Sequence, residues 1–221
     1  MSRMYRLAGT ALVLGSLLWL VNLLYGDTVL EGFRPSHAGD STWGVVGLIG
    51  LVGSLLAMVG IFAVYARQAD RMDAMGTWGF GLSAMAGMIF GVGFGAVSTI
   101  AVPLMSSADR SAWDFYGSAQ PPAAIGQLFL FATLLYVVGT VMWGWSMTKA
   151  AAWPTWTGWG LVVSGVLALL MTVGRLAGVS WMPLVADIPY LLFMLLGVYW
   201  GWRMAEPMRA MQPVAAAGAR A

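Results

Sequence analysis

The stretch WGVVGLIGLVGSLLAMVGIFAVYA, Trp43–Ala66, contains no charged residue and decides what kind of protein this is. A bilayer core about 30 Å thick is crossed by roughly 20 apolar residues in a helix. Trp43–Ala66 is long enough, and it lacks the apolar–polar alternation of a membrane β-barrel strand. Five more segments meet the same requirement with their charges outside: about 7–25, 76–102, 123–147, 156–174 and 183–202. The fold class read from this pattern is an all-α membrane protein. It is a single domain over 1–203, a six-transmembrane-helix bundle with a flexible tail at 204–221.

Composition agrees. Of 221 residues, 60% are hydrophobic and only 9% are charged, whereas about a quarter are charged in an ordinary soluble domain. So few charges cannot cover a soluble surface, which excludes a soluble enzyme, a disordered chain, a nucleic-acid binder and a coiled coil. The chain has no cysteine, so disulfides, thiolate zinc sites, iron–sulfur clusters and cysteine nucleophiles are excluded too. The net charge of +2 points to no acidic partner.

The charges also suggest an orientation. With both termini in the cytoplasm, the inner segments carry Arg3, Arg6, Arg67, Arg71, Lys149, Arg203, Arg209 and Arg220, and the outer ones only Arg34, Arg110 and Arg175. That is the positive-inside bias. Trp78, Trp143, Trp145, Trp153, Trp156, Trp159, Trp200 and Trp202 fall at the inner ends of the spans, where an interfacial aromatic belt belongs. The first span follows Arg3 and Arg6 like a secretory signal. No small-residue cleavage site follows it, and it reads as a retained helix. Short inner links at 67–75 and 148–155 make helix hairpins. The longer outer loops are 26–42 and 103–122, and the second has a capping-box-like start at Ser106 that suggests a short interfacial helix.

Glycine, 29 residues, is the other strong signal. Gly44, Gly47, Gly50 and Gly53 recur every three residues; Gly79, Ser83, Gly87, Gly91 and Gly95 recur every four along one face. Lipid is as apolar as Leu, so membrane helices associate where small residues let backbones approach. The second and third spans are therefore expected to be the closest-packed part of the bundle, with these nine residues at helix contacts. Gly91, Gly93 and Gly95 together make a pliant stretch. The dipeptide Trp-Gly at Trp43, Trp78 and Trp159 hints at an inverted repeat of the transporter kind.

Polar residues at membrane depth are few and mark candidate sites. Arg175 closes the fifth span and Asp187 opens the sixth, near one another at the outer face, as a structural clamp or as a polar anchor for an anionic group. Pro183 and Pro189 suggest a kink or a late helix start near Asp187. With Asn22 and Gln127, these two residues make a candidate ligand-binding set in the outer half. His37 is the only histidine and stands in a solvated loop, so no metal site is read. The sixteen methionines read as flexible packing. No cofactor and no catalytic residue is assigned, because no nucleophile–base pair, phosphate loop or paired carboxylate is present.

The stretches GSLLAMVGIFAVYARQADR (Gly53–Arg71), GTWGFGL (Gly76–Leu82) and LGVYWGWR (Leu196–Arg203), with Pro103 after the third span, resemble small uncharacterised bacterial multi-pass membrane proteins of the actinobacterial type. The resemblance implies six helices and brings no functional residues with it. The function expected is that of a non-catalytic protein of the bacterial cytoplasmic membrane. It would bind lipid or an apolar ligand, or serve as an accessory subunit of a membrane complex. Its expected partners are membrane lipids and a membrane-protein partner or second copy, not nucleic acid. One alternative is a small transporter or flippase with an outward cavity near Arg175 and Asp187. Another is an intramembrane enzyme acting on an apolar substrate through Asp187.

Overall fold

The computed structural model describes residues 2–28, 41–96, 123–179 and 187–206. Within them the chain is helical, with no strand. The helices are α1 (Ser2–Thr28), α2 (Ser41–Ala66), α3 (Ala74–Gly87), α4 (Ala123–Ala150), α5 (Thr155–Leu176) and α6 (Ile188–Ala205). A π-helical stretch, Met88–Gly93, and a last turn, Phe94–Ala96, continue α3. The expected loops with Ser106, His37 and Arg34, the prolines Pro103 and Pro183, and the tail from 207 lie outside the described residues.

Among the described residues, five helices are long and apolar enough to cross a membrane, α6 not among them. The reason lies in its composition. It has 18 residues, about 27 Å of helix, and they include Tyr190, Tyr199, Trp200, Trp202 and Arg203. Its start agrees with the prolines: Asp187 is the N-cap and Pro189 sits in the first turn, where proline's missing N–H costs nothing.

The six helices form a ring in chain order, closed by α6 on α1. Neighbours along the chain pack closely, except that α2 and α3 meet mainly at the π-helical end. The links 67–73 and 151–154 lie at one end of the ring, called here the connector end. Asp73 caps α3 by accepting from the Gly76 N–H at 2.8 Å, and Ser146 Oγ on α4 donates to the same carboxylate oxygen at 2.6 Å. Those two bonds hold the Asp73 carboxyl below its ordinary pKa. At the opposite end, α5 stops where Gly178 turns to φ +73° and the Val179 N–H bonds back to Gly174 O.

Where the helices cross they are apolar outside and small inside. On α2 the exposed large apolar residues are Val45, Leu48, Val52, Leu55, Val59 and Phe62, a stripe at helical spacing, while Gly50, Gly53, Ser54, Ala57 and Gly60 face inward. Four crossings are made by glycine against glycine: Gly15 with Gly53, Gly9 with Gly201, Gly79 with Gly139, and Gly144 with Gly158. In each, an added Cβ would press on the backbone carbonyl of the facing glycine.

The glycine row of α3 does not serve one neighbour. Gly79 and Ser83 meet α4, whereas Gly87, Gly91 and Gly95 meet Met58, Ser54 and Leu51 of α2. In an α-helix a spacing of four drifts about 40° per step, which carries the row from one neighbour to the other. The wider π turn then removes drift and holds the last three on α2. Gly50 and Gly53 of α2 pack on α1, at Asn22 and Gly15. Gly47 is buried, and Gly44 faces open space with nothing within 4 Å.

The tryptophans also divide. Trp78, at 70% exposed, and Trp145, Trp156, Trp159 and Trp202 face outward. Trp143 and Trp200, both 0% exposed, and Trp153 at 6% fill the core at the connector end instead of joining the outer belt. There they continue a stack in which Tyr65 lies on Phe80 at 4.1 Å and Phe80 meets Trp143 edge-on at 5.3 Å.

Candidate functional site

Halfway along the ring, between α1, α2, α3, α4 and α6, the interior holds a cavity of about 70 Å³. Its wall combines five aromatic rings, from Trp19, Phe90, Tyr136, Tyr190 and Phe193, with Met58 and Met194. Tyr190 is the hub, with ring centres 5.2 Å from Tyr136, 5.8 Å from Phe90 and 6.4 Å from Trp19. Phe90 and Gly91 come from the π-helical stretch. A π turn is an unusual expense inside a helix and recurs at functional sites.

The hydroxyls of Tyr136, Ser54 and Ser83 on the wall are already engaged. Tyr136 Oη and Ser164 Oγ share a hydrogen bond at 2.5 Å, and the proton not used in it goes to Pro189 O, which lies 2.7 Å from Ser164 Oγ and 3.3 Å from Tyr136 Oη. Ser54 and Ser83 donate to carbonyls one turn back in their own helices, at 2.8 and 2.9 Å. The cavity therefore presents carbon and sulfur. A polar guest would lose water and regain no hydrogen bond, so the surface suits an apolar one. Its size decides how much of one: a dry cavity of about 150 Å³ admits benzene, and about half that takes the end of a chain, not a whole drug-sized molecule.

The polar residues singled out from the sequence stand elsewhere. Asn22 Nδ2 donates to Val46 O at 2.7 Å, tying α1 to α2, and its side chain borders an open cleft of about 360 Å³ with Tyr25, Thr42 and Ile49. Gln127 is on the exposed face of α4. Asp187 caps the α6 backbone without a side-chain cap bond, and Arg175 lies in the last turn of α5 with its side chain outside the described residues. None of the four lines the cavity. Tyr136 was not singled out from the sequence; the signal that could have found it is a phenol in the middle of a span, which must find a partner for its hydroxyl.

A second polar cluster lies at the connector end. Gln68 is 0% exposed, and neither atom of its amide has a hydrogen-bond partner among the described residues. The same holds for the indole N–H groups of Trp143, Trp153 and Trp200. The guanidinium of Arg67 lies 4.5 Å above the ring of Trp153, a cation–π contact. Burial, with the nearby charges of Arg203 and Arg71, lowers the Arg67 pKa. Among the described residues, no group of three or more His, Asp or Glu side chains could hold a metal ion.

Comparison of the chain with protein-family models, with curated proteins and with solved structures gives no match. The likeness to small bacterial multi-pass proteins rests on its quoted motifs alone.

Proposed function

We propose that the chain is a six-span protein of a bacterial cytoplasmic membrane, without catalysis of its own, that takes the end of a lipid chain or a similar apolar group into its central cavity. One observation carries this reading: a cavity walled by five aromatic rings and two methionines, with the hydroxyls of Tyr136, Ser54 and Ser83 engaged elsewhere. The guest gains dispersion contacts with those rings; burial alone gives it nothing, since lipid is equally apolar. A role as accessory subunit of a membrane complex fits the same apolar outer surface. The transporter and enzyme alternatives would work through Arg175 and Asp187, and nothing in the cavity wall favours them.

In this reading the connector end faces the cytoplasm, with both termini, because Arg3, Arg6, Arg67, Arg71, Lys149 and Arg203 gather there. Counting α6 as the sixth span is supported by its packing along α1, Gly197 on Ser16 and Gly201 on Gly9. The chain lacks cysteine, so single reporters are clean. Asp70→Cys is expected to react only after the inner face is opened to an impermeant maleimide, and Gly178→Cys from outside intact cells. Both reacting from one side would end the six-span reading.

The cavity is tested by filling it. Ala84 lies on its wall and is almost fully buried; Ala84→Leu adds three carbons there. Native mass spectrometry of the wild-type chain from mild detergent is expected to show one retained apolar molecule, and the variant to lose it while melting near the wild-type temperature. If the void is only a packing defect, filling its 70 Å³ recovers up to about 1.7 kcal/mol, at roughly 24 cal/mol per Å³. A stabilised variant with unchanged retention would refute the ligand reading.

A further inference from the structure

The central cavity is not sealed, and at about 70 Å³ it holds the end of a chain and no more. The rest of any guest must therefore leave it by some gap in the wall. Four seams separate neighbouring helices that line it: α6–α1, α1–α2, α2–α3 and α3–α4. Three of these are closed backbone to backbone, by Gly9 with Gly201, Gly15 with Gly53 and Gly79 with Gly139. The seam between α2 and α3 is built differently. It is tight at the π-helical end, where Gly91 lies on Ser54 and Gly95 on Leu51, and the two helices splay from there toward the connector end. Farther along, side chains fill the wedge: Phe62 of α2 meets Phe80 of α3 edge-on, with ring centres 5.2 Å apart.

Between these two closures stands one side chain. Beyond its own helix and among the described residues, a Cβ built on Gly87 would meet the Met58 sulfur at 3.2 Å and nothing else within 4 Å. Met58 and Gly87 both line the cavity, and neither is fully buried. On the outer surface Leu55 and Phe62, a turn before and a turn after Met58, are exposed, and so is Met88 beside Gly87. An apolar groove thus leads to the cavity, and a thioether closes it. Methionine is unbranched and turns about three bonds, so it yields to a neighbour where a glycine crossing cannot.

We infer that the guest is an intact bilayer lipid, held by the end of one tail that enters sideways through the α2–α3 seam and displaces Met58. This assignment rests on the central-cavity reading and names its guest and its way in. The tails of the two leaflets end at the middle of the bilayer, and a cavity halfway along the ring stands at that depth. The headgroup stays at the membrane surface, so no charged group has to cross the apolar wall. The length of tail that the cavity cannot hold lies in the groove bordered by Leu55, Phe62 and Met88.

Photolabelling of the full chain in phosphatidylcholine vesicles tests this. The probes are phosphatidylcholines with a diazirine at the end or in the middle of one acyl chain, and peptide mass spectrometry locates the adducts. The end probe is expected to mark Tyr136, which is 5% exposed and lies on the cavity wall. The mid-chain probe should mark Met58 and Gly87 about fivefold above Leu134, an exposed residue of α4, because an anchored tail raises its own concentration at the mouth. Ala84→Leu should remove both the Tyr136 adduct and the excess at Met58. If the end probe marks Tyr136 while Met58 and Gly87 stay level with Leu134, the seam is overturned and the cavity reading stands. No adduct at Tyr136 in the wild type overturns the cavity reading, and the lipid route with it. The wild-type ratio needs no variant, so a poorly folded Ala84→Leu still leaves the seam decided.

Discussion

Trp200→Ala is expected to cost the folded chain about 3–5 kcal/mol, the usual loss for truncating a buried aromatic. Trp200 is wholly buried, with ring centres 5.8 Å from Trp143 and 6.4 Å from Trp153. Trp202, two residues on, is exposed, and Trp202→Ala should stay within about 0.5 kcal/mol, as surface changes do. Thermal unfolding of the two variants in the same detergent makes the comparison. Equal losses would mean that the connector-end tryptophans form one outward belt after all, and that the three-tryptophan core is wrong.

The second large effect belongs to a glycine. A Cβ on Gly139 would stand 2.5 Å from the Ser83 amide nitrogen and 2.9 Å from Gly79 O. Both are backbone atoms, so the α3–α4 crossing must spread, and Gly139→Ala should cost about 1–3 kcal/mol by overpacking. Gly81 is also on α3, yet a Cβ there meets nothing within 4 Å. Gly81→Ala should be neutral or gain up to about 1 kcal/mol, because alanine gives up less backbone freedom in a helix. Titration with a denaturing detergent would rank them. A harmless Gly139→Ala would show that α3 and α4 do not cross at this point.

These contrasts show what the sequence could and could not display. Length and apolarity place the helices, because a bilayer sets a minimum span and charges cannot sit inside it. Faces are another matter. In a soluble protein the apolar face is the buried one, but here Leu48 and Leu55 point outward while Ser54 and Ala57 point in, so hydropathy carries no sign. The row from Gly79 to Gly95 reads as one face, yet helical drift and a π turn share it between two neighbours. The tryptophans at the inner ends read as a belt, and three of them are core. Asn22, Gln127, Arg175 and Asp187 were singled out for their cost at membrane depth, and that cost does not say which way a side chain turns. The cavity came from tertiary packing of Phe90, Tyr136 and Tyr190, residues 46 or more apart in sequence, and the one signal that could have pointed to it, the mid-span phenol of Tyr136, was passed over.

The closure of the ring has a consequence for how the molecule is made. Ribosomes deliver α1 long before α6, so the surface around Gly9 that Gly201 will cover enters the bilayer without its mate. Until α6 docks, α1 has only α2 beside it, and the seam next to the buried Ser16 stands open. Assembly therefore ends where it began, and a chain cut short before Gly197 leaves the ring unsealed at α1.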